Sequence, residues 1–432
     1  MKEYDVIIVG ASIAGCSAAI LYGQHGLNVA LIDRKTNSSS HYKSMCTHTI
    51  QASALSSIQK LGIISALKNH GGILTHHQIW SKYGWIKRDL TEINKYENYG
   101  LNITRKLLDP ILRKEIHKYP SIEYLCGSHI DDLLTRNGKI CGVKFFNKNY
   151  INGIKLFSKL VVGADGANSK IAKLSSIGAT VNPNNRFGYF AYFKHQTLLS
   201  ITDSKIWYLE PDIAYAFPNE NGLMLLGYTA EKSRLKNIKD NLNEKFVQLF
   251  SDFPNSNIHK NVIQVSPFYA TGKMKNIFRH EPLFGLAFIG DAALTLDPAA
   301  GVGIGYAFQS ADLLVEFTRK SLIENKNYHE AAKNYYYHYS ALMRDTYRII
   351  SHDSLAGSFG EIANFVFSNA PGNPFLSNLF LDFCAKKITV NQFFSTLELF
   401  RNKKEVDEKC ALNNHEFIGT LKTNSSRSFT SA

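Results

Sequence analysis

The sequence predicts an α/β protein whose chemistry is built on a buried parallel sheet. Residues 4–9 (YDVIIV) are an apolar run of the kind that is buried on both faces of a sheet. Residues 13–25 carry the small and apolar side chains of a tightly packed helix, and residues 28–33 (NVALID) form a second buried strand. Strand, helix and strand in this order predict a β-α-β unit with two parallel strands.

The rest of the chain alternates strand-like and helical stretches. A helix is expected over 105–118, with Pro110 in its first turn, where a proline is tolerated. The other expected elements are strands within 121–162 with an Asn-Gly turn at 137–138, strands over 186–230, a helix over 233–252, a strand over 284–290, a helix to about 320, and helices over 328–400. From about 411 the chain is polar and rich in Ser, Asn and Thr, which is typical of a loose tail.

Composition excludes several classes of protein. The 432 residues include 44% hydrophobic and 20% charged residues, which excludes a mostly disordered chain. No apolar run reaches the roughly 18 residues that a membrane span requires, so we expect no transmembrane helix. The six Cys are scattered without a C-x-x-C pair, which argues against a disulfide framework and against a zinc site. We therefore expect a reduced, cytoplasmic protein without a structural metal.

The net charge is positive but dispersed. The chain has 49 Lys+Arg and 36 Asp+Glu, which gives 49 − 36 = +13. The basic residues spread from Lys2 to Arg427, whereas nucleic-acid-binding proteins concentrate them in stripes or arms. We therefore expect no nucleic-acid partner, and a cationic surface that attracts anionic substrates or cofactors.

A glycine-rich turn joins the first strand to the first helix. In the sequence GASIAG, Gly10 permits the tight turn and Gly15 permits close packing of the helix, so that backbone N–H groups can face a pyrophosphate. Ser12 replaces the usual middle glycine and adds a hydroxyl donor. Asp33 ends the second strand about 20 residues later, where its carboxylate can accept hydrogen bonds from a ribose. These features predict a dinucleotide site, for either NAD or FAD.

Two later motifs favour FAD. Residues 160–169 (LVVGADGANS) and 286–305 (LAFIGDAALTLDPAAGVGIG), together with the N-terminal motif, resemble the superfamily of group A flavoprotein monooxygenases and geranylgeranyl-reductase-like proteins. The resemblance extends from residue 1 to about 320. It implies a Rossmann-like FAD-binding domain of the glutathione-reductase type, a β-sheet substrate domain and a helical C-terminal region. The implied ranges are 1–75, 100–180 and 275–330 for the FAD-binding domain, 76–99 and 181–274 for the substrate domain, 331–410 for the helical region and 411–432 for a flexible tail.

The resemblance also implies which residues contact FAD. Asp165 and Gly166 would serve both FAD and the nicotinamide donor, and the carboxylate of Asp291 would bind the ribityl hydroxyls. Arg105 would contact FAD from the start of its helix, and the glycines after Pro298 would let backbone amides approach the flavin pyrimidine edge. The full set of expected cofactor contacts is Gly10, Ser12, Ala14, Gly15, Asp33, Arg105, Asp165, Gly166, Asp291, Gly301, Gly303 and Ile304.

Candidate catalytic and substrate residues follow from the same resemblance. Residues 43–51 (KSMCTHTIQ) match the stretch that passes beside the flavin ring, which makes Cys46 and His48 candidates for substrate contact or proton transfer, with Pro298 as a third catalytic candidate. A histidine can titrate near neutral pH, which suits proton transfer. The alternatives are a small buried cysteine and a surface imidazole. Tyr215 and Phe217 would line the substrate pocket, or they would be ordinary core aromatics.

The leading function is an FAD-dependent monooxygenase. With NADH or NADPH as donor and O₂ as oxidant, it would hydroxylate or epoxidise an apolar or aromatic small molecule through a flavin C4a-(hydro)peroxide. An FAD-dependent reductase of isoprenoid-type C=C bonds is the alternative. A flavin-dependent halogenase and a non-catalytic flavin-binding protein are weaker hypotheses. Peripheral membrane contact and the oligomeric state stay open.

Overall fold

The computed structural model describes residues 3–36, 41–89, 99–194, 197–198, 201–234, 242–358 and 360–402. The strands in this part of the chain are β1 (Glu3–Val9), β2 (Val29–Asp33), β3 (Thr49–Ile50), β4 (Ile73–Thr75), β5 (His77–Ser81), β6 (Gly84–Ile86), β7 (Gly100–Asn102), β8 (Ile122–Cys126), β9 (His129–Arg136), β10 (Lys139–Asn147), β11 (Tyr150–Gly163), β12 (Ala179–Asn182), β13 (Arg186–Lys194), β14 (Ser204–Tyr208), β15 (Ile213–Asn219), β16 (Leu223–Glu231), β17 (Ile263–Gln264), β18 (Tyr269–Thr271), β19 (Asn276–Arg279), β20 (Leu286–Phe288) and β21 (Leu294–Thr295). The helices are α1 (Ile13–Gln24), α2 (Leu55–Lys60), α3 (Ile64–Asn69), α4 (Arg105–Ile116), α5 (Lys170–Leu174), α6 (Leu242–Asp252), α7 (Gly303–Ile323), α8 (Tyr328–Asp353), α9 (Glu361–Asn369), α10 (Pro374–Cys384) and α11 (390–402).

A seven-stranded sheet forms the first half of the fold. Its order is β8-β2-β1-β11-β10-β9, and β20 also pairs with β11. The strands β8, β2, β1, β11 and β20 pair in parallel, while β10 pairs antiparallel with both its neighbours. Helix α1 connects β1 to β2, and its Tyr22 hydroxyl lies 2.7 Å from Oγ1 of Thr318 on α7. The predicted α/β class and the β-α-β unit at the N-terminus are confirmed.

An eight-stranded sheet forms the second half. Its order is β17-β13-β16-β15-β14-β5-β6, with β18 also paired to β13. Strands β5 and β6 come from an early part of the chain, and the other strands come from residues 186–271. Two three-stranded sheets, β3-β7-β4 and β12-β19-β21, complete the sheets of the described residues. The proposed domain boundaries stay a prediction.

The two faces of the second sheet are covered differently. Helix α6 packs on one face, where Phe246 and Phe250 join a buried cluster with Trp207 and Phe187. On the other face, β5 and β6 contact the C-terminal helices α9 to α11, and a smaller aromatic cluster lies beside them. That smaller cluster lies on the face of the second sheet that meets His48.

One sequence expectation differs from the observed elements. Pro110 is the sixth residue of α4 and so lies beyond its first turn. It removes one helical hydrogen bond, which the helix tolerates because Leu108, Leu112 and Ile116 bury its inner face. The expected tail from about 411 lies outside the described residues. Among the helices of the described ranges, none combines the length and the apolar character that crossing a bilayer requires.

Candidate active site

Three distant segments of the chain meet at one edge of the first sheet. A Cβ on Gly10 would lie 2.4 Å from the carbonyl oxygen of Ala164, and a Cβ on Gly290 would lie 2.8 Å from the Cβ of Ala14. Gly10 and Gly290 have φ angles of +108° and +57°, which glycine adopts without the steric cost that a side chain brings. Each segment follows the carboxyl end of a strand, where α/β sheets bind their ligands.

Helix α1 begins at this edge with a site that suits an anion. Ser12 is its N-cap residue, and this exposed side chain accepts no hydrogen bond from the helix. Nη2 of Arg105 donates to Oγ of Ser12 at 2.9 Å. A Cβ on Gly15 would lie 1.8 Å from the Gly10 carbonyl oxygen, so this close packing requires glycine. Free backbone N–H groups, the helix dipole and a guanidinium together fit a pyrophosphate.

Arg105 is held by an acidic neighbour. It is 3% exposed, and it donates to Asp109 from Nε at 2.5 Å and from Nη2 at 3.0 Å. Burial by itself would lower the pKa of Arg105, but the charges and hydrogen bonds of Asp109 and Cys46 together outweigh burial and raise that pKa. Asp109 also accepts a hydrogen bond of 3.3 Å from the backbone N–H of Lys43. The guanidinium therefore stays charged and fixed beside the start of α1.

The two predicted ribose and ribityl ligands remain partly exposed at this edge. Nζ of Lys43 lies 3.1 Å from Oδ2 of Asp291, and their side chains are 52% and 31% exposed. An exposed pair of this kind contributes little stability, so a hydroxyl-bearing ligand can displace it at low cost. Asp33 ends β2 and accepts a hydrogen bond of 3.1 Å from the backbone N–H of Lys35.

The glycine loop before α7 contains an open position. Oδ1 of the buried Asp297 accepts a hydrogen bond of 3.0 Å from the N–H of Ala299, which caps the short turn Pro298–Ala300. Gly301 follows with a φ of +64°, and a Cβ on Gly303 would meet no heavy atom within 4 Å. The side chain of Ile304 belongs to the core. The loop thus has space in front of its backbone for a planar ligand edge.

Asp165 has nearby partners of its own. Its carboxylate accepts hydrogen bonds from Oγ of Ser169 at 2.6 Å and from the N–H groups of Lys170 and Ile171 at 2.6 and 3.1 Å. Gly166 has a φ of +84°. The carboxylate therefore stabilises the start of α5, and its contact with a cofactor stays a prediction.

His48 connects the first half of the molecule to the second. Its Nδ1 accepts a hydrogen bond of 2.9 Å from the N–H of Arg105, and its Nε2 is hydrogen-bonded to the hydroxyl of Tyr192 on β13. Its own N–H lies 3.4 Å from Sγ of the half-buried Cys46. Burial and, second, the charge of Arg105 lower the pKa of His48 to about 3. The expectation that His48 titrates near neutral pH is therefore wrong, and so is the surface-imidazole alternative, because the side chain is buried.

An aromatic cluster lies next to this histidine. Tyr215 and Phe217 stack with their ring centroids 5.1 Å apart, and Phe190 stacks on Tyr269 at 5.2 Å. Tyr192 lies at its edge, with its ring 6.0 Å from that of Phe190. Tyr215 and Phe217 are themselves buried, so they form the base of this cluster.

The comparisons with known proteins agree with this geometry. The model of a protein family described as "FAD binding domain" matches residues 3–317. The chain belongs to this FAD-binding family. It is therefore an FAD-dependent oxidoreductase, and FAD is the ligand that the glycine turn, Arg105 and the loop before α7 fit.

Curated relatives of this flavoprotein include two different reaction classes. It is 25% identical over 319 residues to digeranylgeranylglycerophospholipid reductase 1 of Methanococcoides burtonii, with 71% of this chain and 72% of that protein covered. It is 24% identical over 350 residues to 3-demethoxyubiquinol 3-hydroxylase of Escherichia coli, with 77% and 82% covered. The flavin-dependent brominase Bmp2 has the same fold, with a TM-score of 0.72, 16% identity, and 93% of this chain and 100% of that chain covered. The superfamily is therefore established, and the reaction is not.

Three residues of the candidate site were not predicted from the sequence. Lys43 contacts Asp291, Asp109 holds Arg105, and Tyr192 contacts His48. A basic residue in KSMC and an acid one helical turn after Arg105 were visible signals for the first two. The aromatic alternation of β13 was visible too, but it does not identify which ring reaches across to the other half of the molecule.

Proposed function

We propose that this flavoprotein is a monooxygenase that uses NADH or NADPH and O₂ to hydroxylate or epoxidise an apolar or aromatic small molecule. The observation that carries the proposal is the hydrogen bond between His48 and Tyr192, because it joins the segment beside Arg105 to an aromatic surface. Relatives that act on a quinol and on a lipid, by their names, agree with an organic substrate.

Several residues would hold the cofactor. Ser12, Arg105 and the start of α1 would bind the pyrophosphate, and Asp33 would bind the ribose. Asp291 and Lys43 would bind the ribityl chain, and the backbone of residues 298–303 would face the flavin edge. Bound FAD would supply electron transfer from NAD(P)H and the activation of O₂.

His48 would control the proton of Tyr192. Because Nδ1 of His48 accepts the N–H of Arg105, the neutral imidazole carries its proton on Nε2 and donates it to the Tyr192 oxygen. The hydroxyl proton of Tyr192 is then directed away from His48. Burial raises the pKa of Tyr192, so the hydroxyl keeps this proton. Tyr192 can therefore donate a hydrogen bond to an oxygen or nitrogen atom of a substrate.

The aromatic cluster would keep water from the reacting atoms. Phe190, Tyr215 and Phe217 are buried and pack against Leu225 in one apolar group. Such a surface binds the apolar part of a substrate, and it excludes water that would divert the oxidant.

A reductase of C=C bonds is the second candidate, and Cys46 favours it. A reduced double bond needs a proton as well as a hydride, and the half-buried thiol of Cys46 lies beside His48 in the segment that would pass the flavin. Under this alternative Cys46 would provide the proton.

The test combines cofactor reduction with product mass. The protein is loaded with FAD, mixed with NADH or NADPH, and supplied with phenols, quinols or isoprenoid alcohols. We expect substrate-dependent oxidation of the nicotinamide and a product heavier by one oxygen atom. A gain of two hydrogen atoms would establish the reductase, and a gain of a halogen would establish halogenation.

Two variants make this test sharper. Tyr192→Phe should reduce turnover more than Cys46→Ser if the protein is a monooxygenase, and the order should reverse for a reductase. If neither nicotinamide reduces the bound FAD with any substrate class, the proposal is refuted.

A further inference from the structure

A buried ion pair joins the loop before α7 to the second sheet. Nε of Arg186, the first residue of β13, lies 3.6 Å from Oδ2 of Asp297, and both side chains are less than 10% exposed. Arg186 also donates from Nη2 to the carbonyl oxygen of Asp353 at 2.7 Å and from Nη1 to that of Pro211 at 3.4 Å. One guanidinium therefore connects the loop, the second sheet and the end of α8.

The backbone of Asp297 is held by a second buried group. Its N–H donates to Oδ1 of Asn276 at 2.8 Å, and Nδ2 of Asn276 donates to Oγ of Ser354 at 2.8 Å. Asn276 is fully buried. Asp297 is thus fixed through its N–H by Asn276 and through Oδ1 by the N–H of Ala299. Its Oδ2 lies at ion-pair distance from Nε of Arg186, which donates to the carbonyl oxygen of Asp353 at 3.3 Å.

Charge balance makes this arrangement relevant to the flavin site. Burial and, more weakly, the nearby Asp353 carboxylate raise the pKa of Asp297, and the Arg186 guanidinium opposes that rise. Asp297 immediately precedes Pro298, the first residue of the turn that would face the flavin. An unbalanced negative charge there would oppose the addition of electrons to a neighbouring group.

We propose that Arg186 is a positioning residue that neutralises Asp297 and so fixes the Pro298–Ala300 turn in the form that binds FAD and favours its reduction. Since β13 also carries Tyr192, the same residue aligns the substrate-side strand with the flavin loop. The inference rests on the FAD site of the proposed function, and it does not depend on which reaction follows.

The experiment is a charge-rescue cycle on the FAD-loaded protein. The variants are Arg186→Met, Asp297→Asn and the double variant, and Asn retains an oxygen that can cap the turn. Arg348→Met is the matched control, because Arg348 forms an exposed pair with Asp345 on α8. The dissociation constant of FAD is measured by flavin fluorescence, and the reduction potential is measured by equilibration with redox dyes.

We expect opposite shifts from the two single variants. Arg186→Met should weaken FAD binding by about tenfold or more and make the potential more negative, because the carboxylate loses its partner. Asp297→Asn should make the potential less negative. The double variant should return both quantities towards those of the unmodified protein, while the control should leave both unchanged.

Three results would overturn the inference. The first is an Arg186→Met protein with unaltered FAD affinity and potential. The second is a double variant whose FAD affinity and potential are no closer to those of the unmodified protein than the values of Arg186→Met. That result would mean that Arg186 acts only through its hydrogen bonds to carbonyl oxygens. The third is an unaltered reduction potential in Asp297→Asn. This variant decides the question if Arg186→Met does not fold. Failure of the unmodified protein to bind FAD would instead refute the proposed function.

Discussion

The two faces of the second sheet have similar aromatic side chains but different surroundings. On the α6 face, Phe187 and Tyr189 of β13 pack with Phe246 of α6 in a closed cluster. On the opposite face, Phe190 and Tyr192 belong to the smaller cluster that meets His48. Alternation along one strand therefore supplies both a structural core and a candidate substrate surface.

The difference between the faces lies in what covers them. The amphipathic helix α6 packs on the first face, where aromatic and aliphatic side chains form one closed apolar cluster. The second face meets a segment that has a buried histidine and, next to it, the buried guanidinium of Arg105. We infer that substitutions on the α6 face change stability alone, whereas those on the His48 face also change function.

The largest expected effect comes from the α6 face. Phe250→Ala removes a fully buried ring that contacts Trp207, Phe246 and Phe253. The free energy of unfolding should fall by about 3–5 kcal/mol, because the transfer of the ring and the cavity both contribute. Urea unfolding followed by circular dichroism measures this change.

The control for this variant is Phe375→Ala, which truncates a ring that is 53% exposed. Its effect should stay below about 1 kcal/mol. The dissociation constant of FAD should be the same in both folded variants. A large loss of FAD affinity in Phe250→Ala would contradict the separation of the two faces.

The second prediction concerns two tyrosines on opposite faces of the same strand. Tyr192→Phe should lower kcat by about a hundredfold, since the loss of one positioned hydrogen-bond donor costs about 10²- to 10³-fold. Tyr189→Phe, on the α6 face, should retain the activity of the unmodified protein. Steady-state kinetics with the substrate found in the product-mass experiment measure both. Equal effects of the two substitutions would remove Tyr192 from the site.

The sequence was sufficient to predict the features that depend on neighbouring residues. The strand before Gly10, the helix after it and the acid at the end of β2 all lie within 35 residues, and their spacing determines the turn. The same locality explains the Asn-Gly turn at 137–138, where both residues have positive φ. Such features need no information about how the two halves of the chain pack.

The remaining site residues depend on distant contacts. His48 and Tyr192 are 144 positions apart, and Lys43 and Asp291 are 248 positions apart, so their pairing follows from packing alone. Burial explains the wrong expectation about His48, because the sequence does not show that Tyr192 would cover the imidazole. The carboxylate of Asp165 accepts hydrogen bonds from Ser169 and from the start of the following helix, and the motif alone does not show that these donors compete with a cofactor.

The smallest expected effect is a pH dependence of stability that belongs to the His48 face. The pKa of His48 falls from 6.5 to about 3 on folding, so below pH 6.5 the unfolded chain takes up a proton that the folded protein does not bind. The contribution of His48 to the free energy of unfolding is therefore present above pH 6.5 and is lost as the pH falls towards 3. From pH 7.5 to pH 5.5 the free energy of unfolding should fall by about 1.4 kcal/mol because of this residue.

His48→Asn tests this assignment, because asparagine tolerates the φ of +62° at this position. Urea unfolding of the FAD-loaded protein at pH 7.5 and 5.5 should show a smaller loss of stability in the variant than in the unmodified protein. The exposed His25 provides the control, and His25→Gln should keep the original pH dependence. His77, whose pKa burial lowers to about 4, contributes a similar loss that both variants retain. An undiminished pH dependence in His48→Asn would show that the pKa of His48 is the same in the folded and the unfolded chain, and the lowered pKa on which this prediction rests would then be wrong.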